Sequence, residues 1–182
     1  PRLGDRVSVV GAGVLGSLLA FLLSRNLQTE VELIDVLPER RRVADAFGVR
    51  FSTPERAERD RDLVFHASGR PAGLAAALEI AGAETTIVEL SWYGDAEVAA
   101  PLGQRFHSAR LTLRSSQVGR LSPNARARFD MRKRLELALA LCADSALDVL
   151  IDGECTFDEL PAVMAEITAP GARALCQRVR YF

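Results

Sequence analysis

Val7-Ser8-Val9-Val10-Gly11-Ala12-Gly13-Val14-Leu15-Gly16 decides how this chain reads. Four residues of strand propensity run into Gly-x-Gly-x-x-Gly. A helical pattern follows at once, with Leu15, Leu18, Leu19 and Leu22 at i, i+3, i+4 and i+7. In such a strand–turn–helix the first glycine permits the tight turn and the second lets the backbone approach a pyrophosphate. The third lets helix and strand pack closely. The phosphates of a dinucleotide then meet free backbone N–H groups at the positive end of the helix dipole. The motif by itself is weak. It gains weight from the strand before it, the helix after it, and an acid at the required distance. Asp35 ends the next apolar run, Val31-Glu32-Leu33-Ile34, 19 residues beyond Gly16.

The competing reading of this stretch is a membrane span. Between Arg6 and Arg25 lie 18 uncharged residues, at the short end for crossing a bilayer, where about 20 is usual. Basic flanks also fit a signal anchor. Three glycines at dinucleotide spacing and an acid closing a second strand fit both poorly.

The 182 residues allow one substantial domain plus a remainder, and an apolar fraction of 48% supports a real core. A formal net charge of −1 gives no general attraction to nucleic acid or anionic lipid, so neither is expected as a partner. Only Lys133 among the 23 basic residues is a lysine, a bias from which no function follows. Cys142, Cys155 and Cys176 are odd in number and widely spaced. They form neither a disulfide framework nor a metal-binding pair, and point to a reducing cytoplasm. The chain opens with Pro1, so it is expected to be processed or a piece of something longer.

Beyond Asp35, Pro38 opens a helix and Gly48 closes it. Val49-Arg50-Phe51 is a short third strand, and Pro54 to Arg61 is a charged, solvated connection or a single helical turn. Leu63 to Ala67 is a buried strand ending in Ser68-Gly69-Arg70. Pro71 starts an alanine-rich helix running to Gly82. Thr85 to Ser91 is a fifth strand followed by a Trp92-Tyr93-Gly94 loop, and Arg110 to Ser115 a sixth. Strands alternating with crossover helices imply a parallel sheet. Six of them, with the glycine turn after the first, give a doubly wound α/β Rossmann sheet whose ligand lies over the carboxyl ends of the strands. This dinucleotide-binding domain is expected to span residues 1–146. Residues 147–182 form an extension: Glu154-Cys155-Thr156 is extended, and a helix follows with Asp158 as N-cap and Pro161 in its first turn. That helix carries the stripe Leu160, Val163, Met164, Ile167, and Ala174 to Tyr181 closes as a strand. Before it, a helix from about Ala127 to Ala143 puts Leu135, Ala138, Leu139 and Cys142 on one face.

With these elements placed, the whole chain resembles the coenzyme-binding, C-terminal half of a medium-chain, zinc-type alcohol dehydrogenase. Arg40, Ala44 and Gly48 follow Asp35 at the family's spacing, and Phe65-His66-Ala67-Ser68-Gly69-Arg70 looks like its fourth strand and adenosine-side loop, with His66 where glutamate is usual. Leu90-Ser91-Trp92 and Ser116-Gln117-Val118 fall where the family's backbone holds the nicotinamide carboxamide. Phe157-Asp158-Glu159-Leu160 with Met164 looks like its penultimate helix and Gln177 to Tyr181 like its closing strand, in which Gln177 or Arg178 stands where a basic residue reaches the pyrophosphate. The resemblance implies an NAD-binding site at Gly11, Gly13, Val14, Leu15, Gly16, Asp35, Arg40, Ala67, Ser68, Arg70, Leu90, Ser91, Trp92, Ser116, Gln117 and Val118. It implies no catalytic or metal-ligating residue in this chain. In that family the zinc ligands and most of the substrate pocket precede the coenzyme domain, and nothing here matches them. Zinc, where used, and the small-molecule substrate belong to that missing part. The isolated chain is therefore expected to lack turnover, and pairing of two copies to cover the apolar stripe of its tail.

Individual residues divide by their surroundings. Asp35 accepts from both adenosine hydroxyls and repels a 2′-phosphate, which favours NAD over NADP. Arg70 follows a strand end and either flanks adenine or is solvated. His66, inside a buried strand, reads as a satisfied core or cleft histidine, and His107 shares no metal-ligand spacing with it or with any cysteine. The basic run Arg126, Arg128, Arg132, Lys133, Arg134 reads as a solvated helix face. Ser115 and Ser116 have no visible partner that makes either a nucleophile. Two other functions fit the opening motif. A nucleotide-sensing regulatory module shares the glycine turn and the acid but not the Phe65 to Arg70 loop or the closing helix and strand. A methyltransferase shares the acid but ends in an antiparallel hairpin, for which nothing after Ser91 speaks.

Overall fold

The computed structural model describes residues 1–26 and 29–181. Among them, β1 (Arg6–Val10), β2 (Glu30–Ile34), β3 (Arg50–Ser52), β4 (Arg61–His66), β5 (Ala81–Glu89) and β6 (Thr112–Ser115) form one parallel sheet. Its order is β3-β2-β1-β4-β5-β6. Winding reverses between β1 and β4, which puts the Gly11 turn at the switch point, as the sequence leads one to expect.

Alternation along the strands sorts the core into two faces. Val7, Val9, Leu33 and Phe51 point to α1 (Val14–Asn26) and α2 (Arg41–Phe47), meeting Ala20, Phe21, Val43 and Phe47. Val10, Ile34, Val64 and Ile87 point the other way, to Leu74, Ala77 and Leu78 of α3 (Pro71–Ile80). Because helices cover both faces, β1 is buried from Val7 to Val10 and reads as a nearly unbroken apolar run. Fully burying one such side chain is worth about 1.5–3 kcal/mol.

Local chemistry explains the ends of the elements and some departures from the sequence reading. Pro38 opens a 3-10 turn that leads into α2, and Gly48 closes it in the left-handed region at φ 68°. Along α1 the buried residues include Gly16, Ser17, Ala20, Phe21 and Leu23, while Leu15 is exposed. The helix is apolar almost all round, so leucine spacing selects a stripe rotated from the buried one. At 13 residues it is too short to span a bilayer, and no helix among the described residues is long and apolar enough to do so. Gly82 does not stop α3. The helix ends at Ile80, and Gly82 lies in β5, where a Cβ would stand 3.0 Å from the Arg61 carbonyl oxygen.

The remainder packs less tightly. Asp130 caps α4 (Met131–Leu141) by accepting from Lys133 N at 2.7 Å, so the helix starts later than its sequence pattern implies, and it also ends two residues earlier. Its Leu135, Leu137 and Leu139 are exposed. β7 (Gly153–Thr156) and β8 (Gln177–Arg180) form a separate parallel pair. Between them, α5 (Leu160–Ile167) starts after Glu159 rather than after the expected cap Asp158, and the Glu159 carboxylate instead accepts from Thr156 N and Oγ1 at 2.8 and 2.9 Å. Leu160, Val163 and Ile167 are half-buried and Met164 is exposed, so the chain itself covers that stripe incompletely. The seam expected at residue 146 does not divide the packing. It falls inside the 3-10 turn Ser145–Leu150, where Leu150 is buried in the α1–α2 core and Leu147, Val149 and Leu175 pack beside it.

Candidate functional site

At the carboxyl edge of the sheet the parallel ladder continues one residue into each loop. Gly11 N donates to Ile34 O, Ala67 N to Val10 O, Leu90 N to His66 O and Ser116 N to Glu89 O, each at 2.8 Å. The loops that bear Ala67, Ser68 and Arg70, then Leu90 to Trp92, then Ser116 to Val118 are therefore set by the sheet itself. Ser68 and Ser91 are half-buried, whereas Arg70, Trp92, Ser116, Gln117 and Val118 are exposed.

The three glycines play three different roles. Gly11 has φ 107°, and a Cβ there would stand 2.6 Å from Ser68 N, so the turn rests directly on the β4 loop. A Cβ on Gly16 would overlap the Gly11 carbonyl oxygen. Around Gly13 the space is open to 4 Å. Helix geometry leaves the amides of the first turn without intrahelical acceptors, and the first bond of that kind, Ser17 N to Gly13 O at 2.9 Å, comes only after Gly16. Closed packing at Gly11 and Gly16 around an open approach at Gly13, above the amides of Val14 to Gly16, which have no backbone acceptor among the described residues, is a cradle that suits a pyrophosphate.

Asp35 is half-buried and fixed on this turn: Oδ2 accepts from Ala12 N at 2.7 Å and Oδ1 from Leu37 N at 2.9 Å. Each oxygen keeps a lone pair for a further donor. Arg40 is placed differently from the sequence expectation. Its guanidinium is buried and turned to the C-terminal segment, donating to Arg173 O at 2.7 Å and lying 3.9 Å from Asp152. Arg42 donates to Val149 O at 2.6 Å, and Arg41 stacks over the Phe51 ring at 5.0 Å.

Sequence reasoning missed a polar relay beside the turn. His66 is fully buried. Its Nδ1 meets both oxygens of Glu89 at 2.9 and 2.8 Å, and its Nε2 meets Ser68 Oγ at 2.6 Å. Glu89 also accepts from Ser91 N at 2.8 Å and Tyr93 OH at 3.3 Å. Ser68 Oγ accepts from Arg70 N at 3.2 Å, and Ser91 Oγ accepts from Gly69 N at 3.0 Å. Burial, and next the Glu89 carboxylate, push the Tyr93 phenol up to about 12. The clue was available in the register. His66 and Glu89 end neighbouring strands and are direct partners across the ladder. His66 thus is a satisfied cleft histidine, with a partner the sequence alone does not name.

His107 is exposed, the three cysteines are free thiols, and among the described residues no three His, Cys, Asp or Glu side chains gather as metal ligands would. No protein-family model matches the chain, and no curated protein matches it in sequence. Solved structures do match. A 2R,3R-butanediol dehydrogenase from Bacillus subtilis covers all of this chain with TM-score 0.71 at 19% identity. A zinc-binding dehydrogenase from Sinorhizobium meliloti, bound to NADP, covers 93% with TM-score 0.72 at 21% identity. An alcohol dehydrogenase from Escherichia coli, complexed with NADH, covers 98% with TM-score 0.71 at 17% identity. The chain spans 52%, 51% and 52% of their lengths. It therefore shares the fold of about half of an alcohol or zinc-binding dehydrogenase, in keeping with the coenzyme-binding half its sequence resembles.

Proposed function

We propose that this chain is the NAD-binding part of an oxidoreductase that moves hydride between a nicotinamide and an alcohol or carbonyl substrate. The carrying observation is the glycine turn, packed shut at Gly11 and Gly16 and open at Gly13 over the first turn of α1. When bound, the nicotinamide supplies the hydride chemistry, and the chain's residues bind and orient it. Substrate handling and any zinc chemistry fall to sequence outside this chain, and a second copy covering the apolar tail is part of the same proposal.

NAD rather than NADP follows from Asp35 and its surroundings. Hydrogen bonds from ribose hydroxyls to a charged acceptor contribute about 1.5–3 kcal/mol each. A 2′-phosphate at ~4 Å from the carboxylate is repelled by about 4 kcal/mol per unit charge before screening. Arg40, Arg41 and Arg42, the cations best able to soften that repulsion, are engaged with the C-terminal segment and Phe51. Titration calorimetry with both nucleotides tests the reading. Gly13→Ala is expected to fold with unchanged stability and lose NAD affinity by about tenfold or more, because the new methyl meets only the ligand. Asp35→Ser should erase the preference for NAD. Full NAD affinity in Gly13→Ala would overturn the cradle, and equal wild-type affinities would reduce Asp35 to a turn-bracing acid.

A further inference from the structure

Ser68, His66 and Glu89 stand in the order of nucleophile, base and orienting acid. Their surroundings argue against that chemistry. Ser68 Oγ is pressed against Gly73, where a Cβ would overlap it, and already accepts from Arg70 N. The neighbouring donor that would receive an oxyanion, Gly69 N–H, is engaged by Ser91 Oγ. The trio is closed to an acyl substrate, and its bonds lead instead to the backbone of two loops.

Those loops are held unequally. The β4 loop has main-chain support from Ala67 N to Val10 O and from the start of α3. The β5 loop is joined to β4 by Leu90 N to His66 O and by Ser91 Oγ, which accepts from Gly69 N. It carries an internal main-chain bond from Ala96 N to Tyr93 O and hangs on Glu89 through Ser91 N and Tyr93 OH. Glu89 is in turn held by His66 Nδ1. In a doubly wound sheet the two halves of a dinucleotide lie on either side of the switch point. With Asp35 on the β2 side and the β4 loop next to the switch point, the half bearing the nicotinamide lies toward β5 and β6. We propose that His66 is a positioning residue. By bridging Glu89 to Ser68 it sets, together with the bond from Gly69 N to Ser91 Oγ, where the β5 loop stands against the β4 loop, and so preforms the Leu90–Trp92 part of the wall met by the nicotinamide half. This rests on the cofactor reading above.

Two substitutions in the full 182-residue chain separate the two ends of the bridge. His66→Asn keeps a donor near the Nδ1 position and loses the reach to Ser68. His66→Gln keeps the reach and loses the Nδ1 donor. Amide exchange by NMR, without nucleotide, should speed at Ser91 in His66→Gln and at Arg70 in His66→Asn. The main-chain-bonded amides of Ala67 and Leu90 should stay protected in both. In calorimetry His66→Gln should weaken NADH about tenfold while ADP-ribose, which lacks the nicotinamide, changes less than about threefold. Unchanged exchange at Ser91 and Arg70 in both variants, or equal loss of the two ligands, overturns the positioning role while leaving the cofactor reading intact. A wild-type chain that binds neither ligand overturns the cofactor reading, and the proposal falls with it.

Discussion

Arg61 and His66 lie on the same strand, one at each end of β4, and both are fully buried. Their partners differ in kind. Arg61 Nη2 donates to the main-chain oxygens of Val7 and Glu30, both at 3.2 Å, and Nη1 to the half-exposed carboxylates of Glu58 and Glu30 at 2.9 and 3.4 Å. A second buried group, Glu32 in the middle of β2, is likewise held within the sheet, accepting from Ser8 and Ser52 hydroxyls at 3.0 and 2.6 Å. At the carboxyl edge His66 is bound to side chains that in turn grip loop amides. A buried charge tied to sheet carbonyls stabilises the sheet. A buried polar group tied to loops shapes what the sheet presents.

The strongest way to break that contrast is Arg61→Met. Loss of the bonds to Val7 O and Glu30 O, with imperfect refilling of the space, should destabilise the chain by roughly 2–4 kcal/mol in urea unfolding. NAD affinity of the folded protein should stay within about twofold of wild type. A stable Arg61→Met protein with impaired binding would erase the distinction. At the other edge, Glu89→Gln removes a charge beside Tyr93, so its phenol should ionise below the wild-type value of about 12, while burial still holds it above the ordinary value. Tyr93 and Tyr181 are the two tyrosines, so ultraviolet titration resolves the change. In the intact protein the raised value means that the stability Tyr93 contributes is whole below pH 10 and lost as pH rises toward about 12. The smallest effect belongs to Arg6 and Asp62, a pair at the amino edge with nearly half of each side chain exposed. Hydrogen bonds from Arg6 hold the Asp62 carboxyl down at about 2. Its contribution is therefore present above pH 3.8 and lost as pH falls toward about 2. Solvent screening limits it to less than ~1 kcal/mol. Thermal unfolding of Asp62→Asn should differ from wild type above this window and converge with it at the acid end.

The parallel winding of the sheet was legible because each strand is separated from the next by a helix or a long loop, which leaves parallel winding as the way to connect them. The glycine turn was legible because steric demands at Gly11 and Gly16 are local. Burial of charge was not. Arg61 closes a run from Pro54 that is dense in charge, and such runs are usually solvated; its burial depends on carbonyls of β1 and β2, supplied from 54 and 31 residues away. The helix phase of α1 failed because leucines surround it, leaving spacing nothing to discriminate. Asp35 was found through spacing alone, whereas its engagement with Ala12 N and Leu37 N came from the fold. Arg40 shows the limit of spacing most clearly: the position matches, and the guanidinium serves the tail.

That clasp also constrains the order in which the molecule can be completed during synthesis. Arg40 reaches carbonyls 133 and 134 residues later in the chain, and Asp152 braces the same segment by accepting from Leu175 N and Cys176 N at 2.8 and 2.9 Å. At ~5–20 residues per second on the ribosome, the nascent sheet waits roughly 7–27 s between emergence of α2 and arrival of its last acceptors. Until then the Arg40 guanidinium lacks its two carbonyl acceptors. A stop codon shortly before Arg173 would make that pause permanent.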